Sequence, residues 1–149
     1  MAEEMIEFSL PIERDKIQEF AMAVGEDNKV FYDPQLAHLE GFPELPAPPT
    51  FTVTQIFEVP RDEREQRLGA NLNYARVLHG EQEFLYKRLP VAGEKLTGKM
   101  RIAKDFVKEG KRGGQMRFVT YETRFEDANG DEVLTALYTL IETSKDAAS

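Results

Sequence analysis

The chain has 149 residues, no cysteine and a formal net charge of −8. Its length suits one domain, residues 1–149, that buries about 70% of the surface of the unfolded chain. The absence of cysteine excludes disulfides, thiolate metal sites and a cysteine nucleophile. The acidic net charge argues against nonspecific nucleic-acid binding, which needs a clustered positive field, so we predict no nucleic-acid partner.

The start of the chain does not resemble a signal peptide, and the end is predicted to be a loose tail. The first five residues are acidic where a signal peptide is basic and then apolar, and no apolar run approaches the ~20 residues of a membrane span. We therefore expect a cytoplasmic protein that does not enter a membrane. Residues 145–149 are predicted to form a frayed tail.

Positive charge is concentrated between residues 87 and 117. This stretch holds ten Lys and Arg but only three acidic residues, so its net charge is +7 and that of the rest of the chain is −15. The simplest interpretation is a solvated outer face of a sheet. The alternative is a surface for a phosphorylated or acidic ligand, such as the nucleotide end of coenzyme A or an acyl carrier protein.

The N-terminal part predicts a short strand followed by a helix. Glu7–Pro11 alternates polar and apolar residues and ends at a proline, which is typical of a short strand. Gly25 stands where a left-handed helix cap is expected. The apolar residues at helical spacing before it are Ile17, Phe20, Ala21 and Val24.

A second short helix is predicted after an irregular loop. Residues 26–32 contain Asp and Asn, which favour turns. Asp33 is a good N-cap and Pro34 suits the first helical position, while Gly41 is placed to end the helix.

The stretch from Pro48 to Val59 is poor in charge and is opened by two prolines. We predict that it is one buried helix at the centre of the fold, because Val53, Ile56 and Phe57 fall on one helical face and proline suits a first helical turn. The β-branched residues in this stretch favour a strand instead. Helix is preferred because a curved sheet needs an apolar element to cover its concave face. The charged segment 60–73 has no periodicity and is predicted to be an exposed loop.

From Leu78 onward the pattern is that of antiparallel strands. Gly110–Gly114 and Asn129-Gly130 are predicted hairpin connections. The four predicted strands are centred on residues 81–87, 96–102, 116–125 and 133–143. Together these elements predict an α+β hotdog fold, in which an antiparallel sheet wraps around a central helix. Such a sheet leaves an open edge that a second hotdog chain would cover, so we expect a dimer.

Four stretches, Phe20–Asn28, Tyr32–Pro34, Ala47–Phe51 and Leu78–Phe84, resemble the MaoC-like domains of (R)-specific hydroxyacyl-thioester dehydratases. The resemblance spans nearly the whole chain and is to the N-terminal or non-catalytic type of these domains. In active members, a loop after the first helix carries an Asp that precedes an Asn by two residues and a His by five. That Asp and His act as general base and general acid around one water.

The matching positions in this chain are Glu26, Asn28 and Phe31, with Lys29 in place of the usual proline. Phenylalanine cannot exchange a proton, so the resemblance implies the fold without a complete acid–base pair. Glu26 keeps a carboxylate, on a side chain one methylene longer than that of the Asp in the motif, and is the one possible catalytic residue.

Only two histidines could replace the missing acid. His38 lies within the second predicted helix and is interpreted as a surface residue. His79 opens a strand beside Glu81 and is either a hydrogen-bonded structural residue or a ligand contact. Their positions do not form a metal-binding spacing, so we expect neither a metal nor a cofactor. The substrate-binding candidates that the resemblance implies are Asn28, Phe31, Tyr32, Pro49, Thr50, Phe51 and His79.

The resemblance implies a non-catalytic, substrate-binding subunit of a (3R)-hydroxyacyl-thioester dehydratase or enoyl hydratase. Its ligand would be an acyl thioester of coenzyme A or of an acyl carrier protein, and its partner a MaoC-like subunit with the intact motif. One alternative is a self-sufficient homo-oligomeric hydratase or acyl-CoA thioesterase that uses Glu26. Another is an acyl-thioester binder without enzymatic activity.

Overall fold

A computed structural model describes residues 2–145 of the chain. Met1 and the predicted tail beyond Lys145 lie outside the described residues. The helices are α1 (Arg14–Ala23), α2 (Pro34–Leu39) and α3 (Arg61–Leu68), and the strands are β1 (Ile6–Pro11), β2 (Val77–Tyr86), β3 (Lys95–Glu109), β4 (Gln115–Glu126) and β5 (Glu132–Glu142). Short 3-10 helices occupy Lys29–Phe31, Phe51–Phe57 and Tyr74–Arg76.

All five described strands belong to one sheet in the order β1-β3-β4-β5-β2, and every neighbouring pair is antiparallel. The edges are therefore the six-residue strand β1 and the ten-residue strand β2. Three register shifts interrupt the ladders of the described strands: one at Gly80 in β2, one between Ile102 and Lys104 in β3, and one between Phe125 and Glu126 in β4. The predicted α+β architecture is confirmed.

The strand predictions are confirmed by burial and by turn geometry. Leu96 and Met100 point into the core, whereas Lys95 and Arg101 are exposed, because successive side chains of a strand face opposite sides. Gly130 has a φ of +83°, a left-handed conformation that glycine adopts at no steric cost, in the turn between β4 and β5.

The end of α1 is a Schellman cap. The Gly25 N–H donates to the Met22 carbonyl at 3.2 Å and the Glu26 N–H donates to the Ala21 carbonyl at 2.8 Å. Gly25 has a φ of +74°, as predicted from its position after the apolar series. This cap ends the helix and directs the chain into the loop 26–32.

Helix α2 begins as predicted. The Asp33 carboxylate accepts hydrogen bonds from the N–H groups of Gln35 and Leu36, and Pro34 occupies the first turn. The helix ends at Leu39, followed by Gly41 with a φ of +95°.

The prediction of a buried α-helix from Pro48 to Val59 is wrong. The chain forms a 3-10 helix over Phe51–Phe57, and the expected buried side chains of Val53, Ile56 and Phe57 are 40%, 53% and 81% exposed. β-Branched residues lose side-chain freedom in an α-helix, and the Thr54 hydroxyl donates to the Phe51 carbonyl at 2.9 Å. The β-branched residues, which disfavour an α-helix, therefore decide the local structure of this segment.

The segment after it was also predicted wrongly, because Arg61–Leu68 is the helix α3 rather than an irregular loop. Acidic Asp62 and Glu63 lie in its first turn and Arg67 in its last, which complements the helix dipole. Gly69 ends it with a φ of +74°. The helix carries few apolar residues, so hydrophobic periodicity could not reveal it.

The core consists of two apolar clusters instead of one central helix. The first, which we call the α1 cluster, includes Ile17 and Ala21 of α1 together with Phe51 and Phe125. The second, the α3 cluster, includes Leu68, Val59, Met100 and Tyr121. The 3-10 helix Phe51–Phe57 thus contributes Phe51 to one cluster, while Val59 just after it joins the other.

Candidate functional site

The loop 26–32 is held in shape by its own hydrogen bonds. The Glu26 carboxylate accepts a hydrogen bond from the Asn28 N–H at 3.0 Å, and the Asn28 side-chain oxygen accepts one from the Val30 N–H at 3.1 Å. The Tyr32 hydroxyl donates to the backbone carbonyl of Glu26. Glu26, Asn28 and Tyr32 therefore lie close together, and each of them makes a contact that fixes the loop.

Phe31, at the position where the resemblance expects a histidine, is a core residue. Its side chain is 7% exposed and belongs to the α1 cluster. A buried phenyl ring holds no proton to transfer. The proton donor of the expected pair is therefore absent from its place, and the space is filled by apolar packing.

The two histidines do not replace it. His38 is exposed on α2, and His79 is exposed on β2 with its ring 4.9 Å from the ring of Tyr138. Within residues 2–145 neither histidine forms a hydrogen bond or an ion pair with a carboxylate. Glu26 therefore has no acid–base partner in the described part of this chain.

The segment Pro49–Phe51 leads the chain into the 3-10 helix Phe51–Phe57. The Tyr86 hydroxyl donates to the Pro49 carbonyl, which ties the segment to β2. Pro49 and Thr50 are exposed, while Phe51 is 1% exposed and packs edge-to-face on Phe20 of α1. Of the residues predicted to bind substrate, Phe31 and Phe51 are thus core residues, and the others retain some exposure.

Two cavities flank the 3-10 helix Phe51–Phe57. The first, the α1 cavity, has a volume of about 360 Å³ and is lined by Leu10, Lys16, Phe20 and neighbouring residues of β1 and α1. The second, the α3 cavity, has a volume of about 420 Å³ and is lined by residues of α3, β2, β3 and β5. Both volumes lie within the range of small-molecule sites.

A 3-10 helix has three residues per turn, so residues three apart in sequence lie on the same side of it. The helix Phe51–Phe57 therefore presents different side chains to the two cavities. Thr54 and Phe57 lie on one side and line the α1 cavity. Val53 and Ile56 lie on another side and line the α3 cavity, as does Val59. One short segment therefore forms the apolar wall of both spaces.

A buried polar cluster, which we call the Arg64 cluster, borders the α3 cavity, and two of its members, Arg64 and Tyr74, line the cavity. The Arg64 guanidinium donates to the Tyr74 hydroxyl at 2.6 Å, and the Tyr121 hydroxyl donates to the Glu65 carboxylate at 2.6 Å. Tyr74 also donates to Glu65, at 3.0 Å. The side chains of Arg64 and Glu65 are only 12% and 14% exposed.

Burial in this cluster raises the pKa of Tyr74 to about 12. Burial, with the hydrogen bond to Glu65, also holds the pKa of Tyr121 well above its usual value. Both hydroxyls therefore remain protonated at neutral pH and act as hydrogen-bond donors to Glu65. The cluster satisfies its charges internally, which a buried ion pair requires.

His79 and Gln82 of β2 line the same cavity. The Gln82 side-chain amide donates to the Leu137 carbonyl at 3.1 Å, which leaves its oxygen available. The side-chain oxygen of Gln55, also a lining residue, is buried without a hydrogen-bond partner among the described residues. The α3 cavity therefore combines apolar walls with polar groups. Asn28 and Phe31 instead line a separate cavity of about 410 Å³, so the predicted site residues are divided between places.

Sequence reasoning missed Arg64, Glu65, Tyr74 and Tyr121. A helix at Arg61–Leu68 could have been inferred from Pro60, the acidic first turn and the terminal Gly69. No local pattern signals that Arg64 packs on a tyrosine 57 positions later, with its Cζ 4.2 Å from the Tyr121 ring centroid.

The basic stretch 87–117 is only partly neutralised. Arg88, Lys99, Arg101 and Arg117 form ion pairs with Glu94, Glu126, Glu122 and Asp105 respectively. Among the described residues, no carboxylate lies within ion-pair distance of the remaining six cations. Those six are Lys87, Lys95, Lys104, Lys108, Lys111 and Arg112.

Across residues 2–145, no helix is long and apolar enough to cross a membrane. In the same range, no group of three or more His, Cys, Asp or Glu side chains is placed to hold a metal ion.

Solved structures share this fold. A MaoC-like dehydratase superposes with a TM-score of 0.79 at 23% identity, over 95% of this chain and 42% of that longer one. A chain of the HadBC (3R-hydroxyacyl-ACP dehydratase) complex from Mycobacterium tuberculosis superposes with a TM-score of 0.72 at 24% identity, over 93% and 96% of the two chains. A chain of the ChsH1-ChsH2 complex from the same organism gives 0.71 at 18% identity, over 97% and 85%. The predicted hotdog fold is confirmed.

Comparison of the sequence with known proteins shows the family of this chain. A family model described as "FAS1-like, dehydratase domain region" matches residues 1–136. A UPF0336 protein of Clavibacter michiganensis is 36% identical over 141 residues, which cover 90% of this chain and 86% of that protein. A UPF0336 protein of Leifsonia xyli is 35% identical over 87% and 83% of the two chains. The chain therefore belongs to the family of the FAS1-like dehydratase domain region, together with the UPF0336 proteins, and it shares its fold with the MaoC-like dehydratase structure.

Proposed function

We propose that this chain is the non-catalytic, substrate-binding subunit of a (3R)-hydroxyacyl-thioester dehydratase or enoyl hydratase. The observation that supports this most directly is the buried Phe31, which stands where active relatives of the family need a proton-donating histidine. A second MaoC-like subunit supplies the Asp and His of the reaction. The whole chain, 1–149, acts as one hotdog domain in this complex.

The α3 cavity is our candidate for the acyl chain. Val53, Ile56 and Met100 give it apolar walls, and its volume of about 420 Å³ suits a small ligand. Pro49 and Thr50 lead into the 3-10 helix that borders the cavity, and His79 lines it. The other predicted binding residues do not line this cavity: Asn28 and Phe31 line the separate cavity of about 410 Å³, and Phe51 and Tyr32 pack in or against the α1 cluster. In this proposal they contribute a second part of the binding site, away from the acyl chain.

The partner covers the apolar surface beside this cavity. Val53, Ile56 and Phe57 are exposed on the 3-10 helix. Strand β2 is the longer edge of the sheet and presents unpaired backbone groups, which a second hotdog chain can pair. The names HadBC and ChsH1-ChsH2 describe complexes of paired subunits, which supports a pairing of this kind.

The experiment is an assay of the purified chain and of its mixture with a MaoC-like subunit that carries the intact motif, on (3R)-hydroxyacyl thioesters of coenzyme A and of acyl carrier protein. The chain alone should form a dimer with negligible activity, and the mixture should be active. The comparison of the two thioesters shows which carrier the complex accepts.

Full activity of the chain alone would contradict the proposal. Activity on hydroxyacyl thioesters would favour the self-sufficient hydratase, and hydrolysis of saturated acyl thioesters would favour the thioesterase that uses Glu26. Thioester binding without activity in any mixture would favour a non-enzymatic binder.

A further inference from the structure

The outer face of the sheet carries an apolar row that the proposed function does not use. In β4 the side chains of Val119 and Tyr121 point into the core, so Phe118 points to the outer face. Residues directly opposite each other on neighbouring strands share a face. The register therefore places four apolar residues in one row across four strands: Phe106, Phe118, Ile141 and Leu78.

This row is accessible in the chain. Phe106 and Leu78, at its two ends, are 47% and 48% exposed, and Phe118 and Ile141 are half-buried between them. The rings of Phe106 and Phe118 stack with centroids 5.1 Å apart, which fixes a flat aromatic surface at the β3 end. Four strands span about 14 Å at the usual spacing, close to three turns of an α-helix.

Positive charge flanks the row at its β3 end. Lys104 and Lys108 lie two residues before and after Phe106 on β3, and so on the same face. Lys111 and Arg112 follow in the turn beyond. All four are exposed, and none has a carboxylate within ion-pair distance in the described part of the chain.

We propose that this outer face docks an amphipathic helix with acidic flanks that belongs to another protein. The apolar row matches the apolar stripe of about three helical turns, and the four cations match acidic residues on the half of the helix that lies over β3. A membrane surface fits poorly, because the rest of the chain is strongly acidic.

The site lies opposite the face that lines the α3 cavity, so it is independent of the acyl-binding proposal. Its test uses two designed helical peptides of about 18 residues with the same apolar stripe, one with Asp and Glu flanks and one with Lys flanks. NMR titration of the labelled chain should show the acidic peptide shifting signals around Phe106, Phe118 and Ile141. Its affinity should exceed that of the basic peptide by about tenfold or more, and should fall with added salt.

Charge variants distinguish binding at this surface from nonspecific electrostatic attraction to the chain. The double variant Lys104→Glu/Lys108→Glu should weaken binding of the acidic peptide about tenfold. The matched control, Lys87→Glu/Lys95→Glu, makes the same charge change outside the row and should bind like the parent chain. Phe106→Ser should weaken binding with all cations retained.

Several outcomes would overturn the proposal. They are equal binding of the two peptides, equal effects of the two double variants, or shifts located away from the row. Two further results would assign the face to another occupant: dimerisation of the chain that Phe106→Ser abolishes, or binding to anionic lipid vesicles in preference to the acidic peptide.

Discussion

The guanidinium of Arg64 lies over the ring of Tyr121, with its Cζ 4.2 Å from the ring centroid, and so joins α3 to the middle of β4. The arrangement combines a cation–π contact with the hydrogen bonds of Arg64 to Tyr74 and of Tyr121 to Glu65. Helix α3 has little apolar surface, and this polar contact attaches it to the sheet together with the buried Leu68 of the α3 cluster. Arg64 and Tyr74 also line the α3 cavity.

Replacement of Arg64 by Leu should therefore destabilise the chain strongly. It removes one partner of a buried charge cluster and leaves Glu65 without its cation, at a cost of about 3 kcal/mol in the free energy of unfolding. Urea unfolding measures this. The neighbouring Arg61→Leu is the matched control, because the Arg61 side chain is 55% exposed, and it should cost less than about 1 kcal/mol. Equal losses in the two variants would show that the Arg64 cluster has no special role.

The 3-10 helix provides a second pair of variants. Phe51→Ala removes a side chain that is 1% exposed and should cost about 3 to 5 kcal/mol in the free energy of unfolding. Phe57→Ala removes one that is 81% exposed and should change it by no more than about 0.5 kcal/mol.

We expect Phe57→Ala to weaken assembly instead, since Phe57 belongs to the proposed partner surface. Sedimentation of the chain with its partner measures this. A large loss of stability in the isolated Phe57→Ala chain would mean that the segment is enclosed, as the sequence first indicated.

The ion pair between Asp105 and Arg117 should make stability depend on acid pH. Its hydrogen bonds, at 2.7 and 2.9 Å, lower the pKa of the Asp105 carboxyl. A carboxyl whose pKa is lower in the folded state stabilises the fold above its unfolded pKa of about 3.9, and this contribution is lost as the pH falls through the folded value.

The variant Asp105→Asn should therefore be less stable than the parent at pH 7 and at pH 5, by about 1 kcal/mol or less for so exposed a pair, and the difference should shrink below about pH 4. Thermal unfolding across this range measures it. Glu109→Gln, an exposed change of the same formal charge on the same strand, is the matched control. A constant difference down to the lowest pH would mean that the effect is not the ion pair.

Sequence reasoning succeeded where local chemistry decides the structure. The cap at Gly25, the N-cap at Asp33 and the alternation around Leu96 each depend on a few neighbouring residues, and all three were predicted. It failed where tertiary contacts or competing preferences decide. The residues of α3 are held by aromatic rings distant in sequence, and the segment 51–57 satisfied a helical pattern that its β-branched residues opposed.

The same division applies to the candidate site residues. The loop 26–32 is built from contacts within itself, so Glu26, Asn28 and Tyr32, all named from the sequence, lie close together there, and their role in binding stays a prediction. The α3 cavity depends on side chains from α3, β2, β3 and β5, and of these only His79 was identified from the sequence.

The central claim is that the chemistry belongs to the partner subunit. The most direct test compares two single changes in the reconstituted, active complex: Glu26→Gln in this chain, and replacement of the Asp of the motif in the partner. Glu26 has no acid–base partner among the described residues of this chain, so Glu26→Gln should change kcat by less than about tenfold, while the change in the partner should abolish most activity. A loss of about a thousandfold or more with Glu26→Gln would show that Glu26 is catalytic and would contradict the account.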